Sequence, residues 1–284
     1  MAIRDLGYRP YEGTRLPPSH NMTVMLRHGL RRAWGSWLVK IAAFIGWVPP
    51  VIGAAGVGIS FWITSQMGGR GAALVDSSKI LLLLLNVQTW SAVLMISLGA
   101  GAAAIAEDLT HRAFQFYFAK PVTPVQYLVG RVSAVAIYGF AFTFIPALFV
   151  SVFLVGFSPL EQRLERAGLI LPALLQSGII AIVIALVSVG LSSLSKSRAL
   201  TMTAWLLLFI VPHVIAAIVA LIGDWPWLYL ASIPKLISIV GEALFKIEPS
   251  DALRWYHAAP VLAGLAAGAG WLAHYRLGRA EVIT

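Results

Sequence analysis

The chain contains no cysteine among its 284 residues. Disulfide bonds, thiolate metal sites and cysteine nucleophiles are therefore excluded. Charge is also scarce: charged residues make up 12% of the sequence and hydrophobic residues 59%, whereas a typical soluble domain is about 25% charged. Several uncharged runs exceed the roughly 20 residues that span the hydrocarbon core of a bilayer. The composition predicts an all-α integral membrane protein built from one helical bundle, with no large second domain.

Six apolar runs predict six transmembrane helices, at about residues 38–64, 80–106, 125–156, 168–194, 199–222 and 255–275. Pro49 and Pro50 predict a kink in the first of them. Gly264 and Gly268 form a GxxxG pair that predicts tight packing of the sixth. The spans and the short segments between them form one domain, residues 38–284.

Two amphipathic segments flank this set of spans. Residues 21–37 place apolar side chains opposite three arginines that can reach anionic headgroups, which predicts an interfacial helix ahead of the first span; the apolar residues are Leu26, Leu30, Ala33, Trp34 and Trp37, and the arginines are Arg27, Arg31 and Arg32. Residues 223–254 contain a second such pattern, which predicts an interfacial or re-entrant helix between spans five and six; its apolar positions are Ile233, Leu236, Ile237, Val240 and Leu244.

The basic residues are distributed unevenly between the two sides of the predicted bundle. The polar tail (residues 1–20) with the interfacial helix and Lys40 just after it, residues 107–131, residues 195–198 and the C-terminus carry 14 of the 21 Lys and Arg residues but only 5 of the 12 Asp and Glu residues. The positive-inside rule makes this side cytoplasmic, with both termini inside. The net charge of +9 is therefore a topology signal, and no nucleic-acid partner is predicted.

Ionisable residues are nearly absent from the predicted spans. Ion-coupled carriers and pumps need carboxylates or paired charges inside the membrane, and His213 is the only titratable residue in the middle of a span. No HExxH motif or other metal-ligand spacing is present. If the protein moves a substrate, the energy has to come from another subunit.

The most unusual stretch lies between the second and third spans, in residues 107–131 (EDLTHRAFQFYFAKPVTPVQYLVGR). A helix over residues 107–118 would pair Glu107 with His111 and Asp108 with Arg112 at i,i+4 spacing. Pro121 would then end this helix.

A second helix is predicted to begin directly after that break. Thr123 is the expected N-cap, Pro124 occupies the first helical position, and Gln126 completes a capping box. The stretch thus predicts a short helix, a rigid break, and a long helix that enters the membrane.

This stretch resembles the permease subunit of ABC-2-type transporters. The resemblance is carried by Ala106-Glu107-Asp108, Pro121-Val122-Thr123 and Gly130-Arg131, and by the predicted architecture of six spans, an interfacial elbow helix and an external amphipathic helix. At His111-Arg112-Ala113-Phe114 the chain departs from many relatives, which have a Gly-Thr-like pair there.

The resemblance implies a function and a set of contact residues. Residues 107–124 would contain a cytoplasmic coupling helix that contacts a separately encoded ATPase through Glu107, Asp108, His111, Arg112 and Phe114, with the break at Pro121 and Pro124. The chain itself would be a non-catalytic subunit without cofactors, because ATP and Mg bind the partner. It would pair with a second permease chain in a bacterial inner membrane and export or flip an unidentified substrate.

Two alternatives stay open. The complex could transmit force to a periplasmic or membrane partner without moving a solute. A rhomboid-like protease would instead use Ser192 with a histidine, His257 or His274. The polar residues Asn86, Gln88 and Gln176 are compatible with a lipid-like or amphipathic substrate, and equally with packing between helices.

Overall fold

The computed structural model describes residues 20–66, 76–114, 117, 122–223, 225–249 and 252–282, which form helices joined by short turns, without a β-strand in these ranges. The α-helices are α1 (His20–Gly35), α2 (Trp37–Ile45), α3 (Val48–Gln66), α4 (Ser77–Gln88), α5 (Leu94–Ile96), α6 (Ala106–Thr110), α7 (Pro124–Phe157), α8 (Leu160–Gly168), α9 (Ile170–Ser192), α10 (Arg198–Ile222), α11 (Ile233–Leu244) and α12 (Trp255–Val282). Two π-helical segments, Thr89–Val93 and Ser97–Gly101, flank α5, and a 3₁₀ helix covers Pro226–Ala231.

Five helical stretches are long and apolar enough to cross a membrane, which makes this an all-helical, multi-pass membrane protein. They are Trp37–Gln66, Ser77–Thr110, Pro124–Phe157, Leu160–Ser192 and Arg198–Ile222. Helix α12 has 28 residues but is not among these five, so the six-span topology stays a prediction. The short segment between the third and fourth predicted spans is largely helical, because α8 occupies it.

The N-terminal helix α1 packs against α7. Met25, Gly29 and Ala33 form its buried side. The two backbones approach closely where glycines meet, since a Cβ on Gly29 would lie 2.8 Å from the Cβ of Ala134, and one on Gly130 would lie 2.7 Å from the Cβ of Met25. The helix is therefore partly docked on the bundle.

The predicted apolar side of α1 packs on the protein only in part. Ala33 is buried, and the Trp34 ring stacks on Tyr138 of α7 with centroids 6.1 Å apart. Trp34 still keeps an exposed part and Trp37 is exposed, but Trp37 already belongs to α2, because α1 ends at Gly35. Partly exposed tryptophans suit a helix that is docked on α7 and also contacts a bilayer interface.

The expected kink in the first span is a break between α2 and α3. Pro50 has no N–H to donate to the carbonyl of Gly46 four residues earlier. The buried side chain of Gln88 supplies the missing hydrogen bond, from Nε2 to the Gly46 oxygen at 2.5 Å. A side chain from the second span thus satisfies the backbone group that the proline leaves free.

The second span is interrupted by the two π-helical segments. In the second of them the Ala102 N–H donates to the carbonyl of Ser97, five residues earlier, at 2.7 Å. Two polar side chains of α10 secure this irregular backbone: Thr201 donates to the Ala102 oxygen at 2.7 Å, and Trp205 Nε1 donates to Ser97 Oγ at 2.8 Å. Because Gly101 lies against Ser188, any side chain there would overlap its hydroxyl.

Helix α11 lies inside the bundle. Its predicted apolar residues Ile233, Leu236, Ile237 and Val240 are buried, as the pattern indicated. Glu242, which is not one of these apolar positions, is buried too. Gln176 Nε2 of α9 donates to the Ile237 oxygen at 2.8 Å, so α11 is held between helices.

The predicted tight contact of α12 at Gly264 and Gly268 does not occur among the residues that the structure describes, because a Cβ added to either glycine would meet no atom within 4 Å outside its own stretch of helix. The close approach occurs instead between Ala269 and Gly190 of α9, where a Cβ on Gly190 would lie 2.7 Å from the Ala269 oxygen. The GxxxG spacing alone does not determine which side of α12 contacts another helix. The close contact forms at the small residues that face α9.

Candidate functional site: a charged cluster around α6

The carboxylate of Asp108 is the centre of a buried charged cluster. One oxygen accepts hydrogen bonds from Arg131 Nη2 and from the Tyr127 hydroxyl, both at 2.5 Å. The other accepts from Arg32 Nη1 at 2.6 Å. Asp108 is 4% exposed and Arg131 is 3% exposed. Buried charges need this degree of pairing, because an uncompensated ion in the protein interior costs several kcal/mol.

Its neighbour Glu107 joins two further helices. Arg32 of α1 forms an ion pair with Glu107 as well as with Asp108. Arg198, the first residue of α10, pairs with the other Glu107 oxygen at 2.7 Å. We name Arg32, Glu107, Asp108, Tyr127, Arg131 and Arg198 the α6 cluster. Through it the five-residue helix α6 is bonded to α1, α7 and α10.

Helix α9 contacts α6 through Ser192. Its buried hydroxyl accepts hydrogen bonds from the N–H groups of Ile105 and Ala106, at 3.0 and 2.9 Å. Free N–H groups at the start of a helix need such acceptors, so Ser192 caps α6 from another part of the chain. At the other end of α6, the Thr110 hydroxyl donates to the carbonyl of Lys196.

The ion pairs predicted within residues 107–118 are replaced by these tertiary contacts. Glu107 and Asp108 pair with Arg32, Arg131 and Arg198 as described, while the His111 ring contacts the backbone oxygen of Glu107 at 2.8 Å. The local pairs do not form, because α6 ends at Thr110 and arginines of neighbouring helices bond both acids.

An uninterrupted helix to Phe118 is also wrong. Helix α6 ends at Thr110, and Arg112 has a φ of 51°. The Ala113 N–H donates to the Asp108 oxygen at 2.9 Å, and the Arg112 N–H donates to the Leu109 oxygen at 3.4 Å. These two bonds form a Schellman motif, in which the left-handed position is usually a glycine.

The predicted break and restart are confirmed only at the restart. Pro121 lies outside the described residues. Thr123 and Gln126 form the predicted capping box, each with a 3.2 Å bond, and Pro124 is the first residue of α7.

The predicted contact residues differ in exposure. His111 and Arg112 are exposed, and Glu107 is half-buried. Asp108 and Phe114 are buried; the Phe114 ring packs edge-on against Tyr127 with centroids 5.2 Å apart. Only the outer side of α6 therefore offers side chains to a partner.

The sequence did not indicate several residues of this site. Arg32 was assigned to headgroups, while Tyr127, Arg198 and Ser192 had no predicted role at α6. One signal was present: Arg131 follows a glycine in an apolar helix, where a charge requires an acidic partner. The identity of that partner depends on the tertiary fold.

Electrostatics around the cluster favour neutral histidine and charged arginine. Burial lowers the pKa of His28 on α1, and the nearby charges of Arg131 and Arg32 lower it further, against an opposing effect of Asp108. Burial disfavours the charge of Arg32, but its hydrogen bonds to Glu107 and Asp108 outweigh this and raise its pKa. Burial also raises the pKa of Tyr117, which packs against Tyr127.

A cavity of about 150 Å³ lies behind the ion pairs, between α1, α7 and the π-helical segment. Small residues such as Gly29, Gly99 and Ala103 form much of its wall, together with Arg32 and Arg131.

The other polar candidates are engaged in packing. His213 contacts Ser232 Oγ at 2.9 Å and lies edge-on to Trp90, with centroids 4.9 Å apart. Asn86 Nδ2 donates to Ser238 Oγ at 3.0 Å, and Gln88 and Gln176 bond backbone carbonyls as described above. In the described ranges no three metal-binding side chains cluster together.

The serine of the protease alternative is occupied by the backbone. Both hydrogen bonds of Ser192 come from N–H groups at α6, whereas His257 packs against Trp227 and Tyr256. His274 is exposed on α12.

The chain matches no protein-family model, and no curated protein is significantly similar to it.

Proposed function

We propose that this chain is the transmembrane permease subunit of an ATP-driven, ABC-2-type transporter, which exports or flips a substrate across a bacterial cytoplasmic membrane. The observation that carries the proposal is the position of α6: a short helix with an exposed end at His111 and Arg112 that is bonded to α1, α7, α9 and α10. A force applied to α6 reaches four helices at once. A coupling helix requires this property.

The arrangement of charges supports six spans with both termini on the cytoplasmic side. The ion pairs of the α6 cluster bring α1, α6, α7 and the start of α10 to one end of the bundle, which we name the α6 end. Helix α12 begins near Trp227, where His257 packs on that ring, and its last turns line a cleft beside Arg112 and Lys196 at the α6 end. It thus extends between the two ends like the five apolar stretches.

In the proposed mechanism, the ion pairs of the α6 cluster transmit movement of α6 to the helices that it contacts. ATP and Mg would bind the partner ATPase, and this chain would supply only the receiving surface. Closure of the partner would displace α6. Asp108 would transmit this displacement to α7 through Arg131, and Glu107 would transmit it to α10 through Arg198. Packed helices with two discrete arrangements are the usual means of such a transition, and a second permease chain would complete the pathway between the subunits.

The proposal is tested by copurification from native membranes in mild detergent. The unmodified chain is expected to recover a P-loop ATPase. The double variant His111→Glu, Arg112→Glu should recover at least tenfold less, because both side chains are exposed and the change reverses the surface charge. Arg254→Glu, an exposed substitution distant in sequence from α6, is the matched control and should recover the wild-type amount.

Failure to recover any ATPase with the unmodified chain would contradict the transporter proposal. If an ATPase is recovered but reconstituted complexes flip no lipid and export no solute, the force-transmitting alternative is favoured. The protease alternative makes a separate demand: Ser192→Ala would have to abolish a measurable cleavage activity.

A further inference from the structure

A large cleft opens at the α6 end of the bundle. It has a volume of about 880 Å³ and lies between α6, the turn from α9 to α10, and the last turns of α12. Ligand pockets for small molecules commonly have about 300–1,000 Å³. The cleft is separate from the buried α6 cluster, since none of the six residues of that cluster lines it.

Four cationic side chains line this cleft, and the described residues of its wall include no acid. They are Arg112, Lys196, Arg276 and Arg279, each of them exposed. None of the four forms an ion pair with an acid whose side chain the structure describes, in contrast to Arg32, Arg131 and Arg198. We name this site the basic cleft. Its positive charge, which no described acid compensates, favours an anionic ligand.

The rest of the wall is apolar. Ile105, just before α6, and Leu109 of α6 contribute to it, and Leu272 and Leu277 contribute from α12. A ligand that fills the basic cleft therefore needs hydrocarbon as well as negative charge, which a free inorganic anion lacks.

Aromatic residues mark the mouth of the cleft as a membrane interface. Tyr275 lines the cleft and stacks on the exposed ring of Trp271, with centroids 5.5 Å apart. The guanidinium of Arg279 lies over the Tyr275 ring, 4.4 Å from its centroid. Tryptophan and tyrosine with a neighbouring arginine are typical of the headgroup level of a bilayer.

We propose that the basic cleft binds an anionic glycerophospholipid from the adjoining leaflet. The phosphate-bearing headgroup would lie among Lys196, Arg276 and Arg279, and an acyl chain would lie along the apolar wall. Clusters of basic residues at a membrane surface recognise anionic lipids in this way. The inference does not depend on the proposed transport function, because it concerns only lipid bound by this chain.

The experiment titrates the purified full-length chain in detergent with phosphatidylglycerol or phosphatidylcholine and counts bound lipids by native mass spectrometry. Phosphatidylglycerol is expected to bind at least tenfold more tightly than phosphatidylcholine. The triple variant Lys196→Gln, Arg276→Gln, Arg279→Gln should lose at least tenfold in this affinity. Arg254→Gln, an exposed basic residue outside the cleft wall, should bind like the unmodified chain. If the triple variant does not fold, the single variants Arg276→Gln and Arg279→Gln replace it, each with an expected loss of about threefold.

Several outcomes would overturn the proposal. Equal affinity for the two lipids would show that charge does not select the ligand, and an unchanged triple variant would place lipid binding elsewhere. Inorganic phosphate that displaces phosphatidylglycerol at equal concentration would identify a free-anion site. Binding of a poly-glutamate peptide without binding of phosphatidylglycerol would assign the cleft to an acidic protein partner.

Discussion

Arg131 and Asp108 form a buried ion pair at 2.5 Å across 23 residues of sequence. Each is almost fully enclosed. The pair joins a helix of five residues to one of 34, and Tyr127 and Arg32 donate two further hydrogen bonds to the carboxylate. Such a pair defines one relative position of two helices, because a displacement would separate charges in a medium that solvates them poorly.

Asp108→Asn is expected to destabilise the protein by about 3–5 kcal/mol, because it leaves the buried Arg131 without its charged partner. The measurement is unfolding by denaturant in detergent. Glu161→Gln in the exposed helix α8 is the control, and it should change stability by less than about 0.5 kcal/mol. A similar small effect of both substitutions would contradict the role assigned to the ion pair. Because Asp108→Asn is expected to destabilise the fold, Asp108 is a poor site for testing contacts with a partner protein.

Arg112→Gly should stabilise the protein by about 1 kcal/mol, because glycine adopts the left-handed conformation without steric cost. Lys246, with a φ of 55° after α11, has the same geometry, and Lys246→Gly should give a similar gain. Arg112→Ala, which keeps the Cβ, should give none. If glycine destabilises either position, the strain assigned to that residue is wrong.

Gln88→Leu should cost about 1–3 kcal/mol, because it leaves the buried carbonyl of Gly46 without a donor. In a Pro50→Ala background the same substitution should cost less, since the backbone N–H gained at position 50 can bond that carbonyl. The double-mutant cycle measures this coupling. Additive effects of the two substitutions would contradict the compensation.

Ser192→Ala should cost about 0.5–2 kcal/mol, because it removes the acceptor for two N–H groups at the start of α6. Ser91→Ala is the control, because the exposed hydroxyl of Ser91 donates to the backbone carbonyl of Val87, four residues earlier in the same span, and caps no helix start in the described residues. Hydrogen exchange of the amides at positions 105 and 106 provides a second measurement and should accelerate only in the Ser192 variant.

His28 should make stability depend on pH. Its pKa is lowered in the folded state by burial and by Arg131 and Arg32, so the unfolded chain binds more protons near the ordinary pKa of 6.5. Stability gained from the neutral ring is present above this pH and is lost as pH falls through and below it. The unfolding midpoint of the wild type should drop more than that of His28→Gln between about pH 7.5 and pH 5; parallel curves would contradict the shift.

Local patterns predicted the local features of this fold well. The capping box at Thr123 and Gln126 and the apolar stripe of α11 are confirmed because neighbouring residues determine them. The partners of Glu107 and Asp108 were predicted wrongly, since Arg32 lies 75 and 76 residues away in sequence and no local spacing encodes that contact. The π-helical segment Ser97–Gly101 also escaped prediction, because the side chains that contact its backbone and Ser97 come from α10, about 100 residues later in sequence.

The enclosure of α11 has a consequence for assembly. Its walls come from α4 and α9, which precede it in the chain, and from α12, which follows it. The site that receives α11 is therefore incomplete until α12 is in place. We expect α11 to reach its final position only after α12 has been synthesised, so a chain truncated before residue 255 should leave this segment accessible to protease.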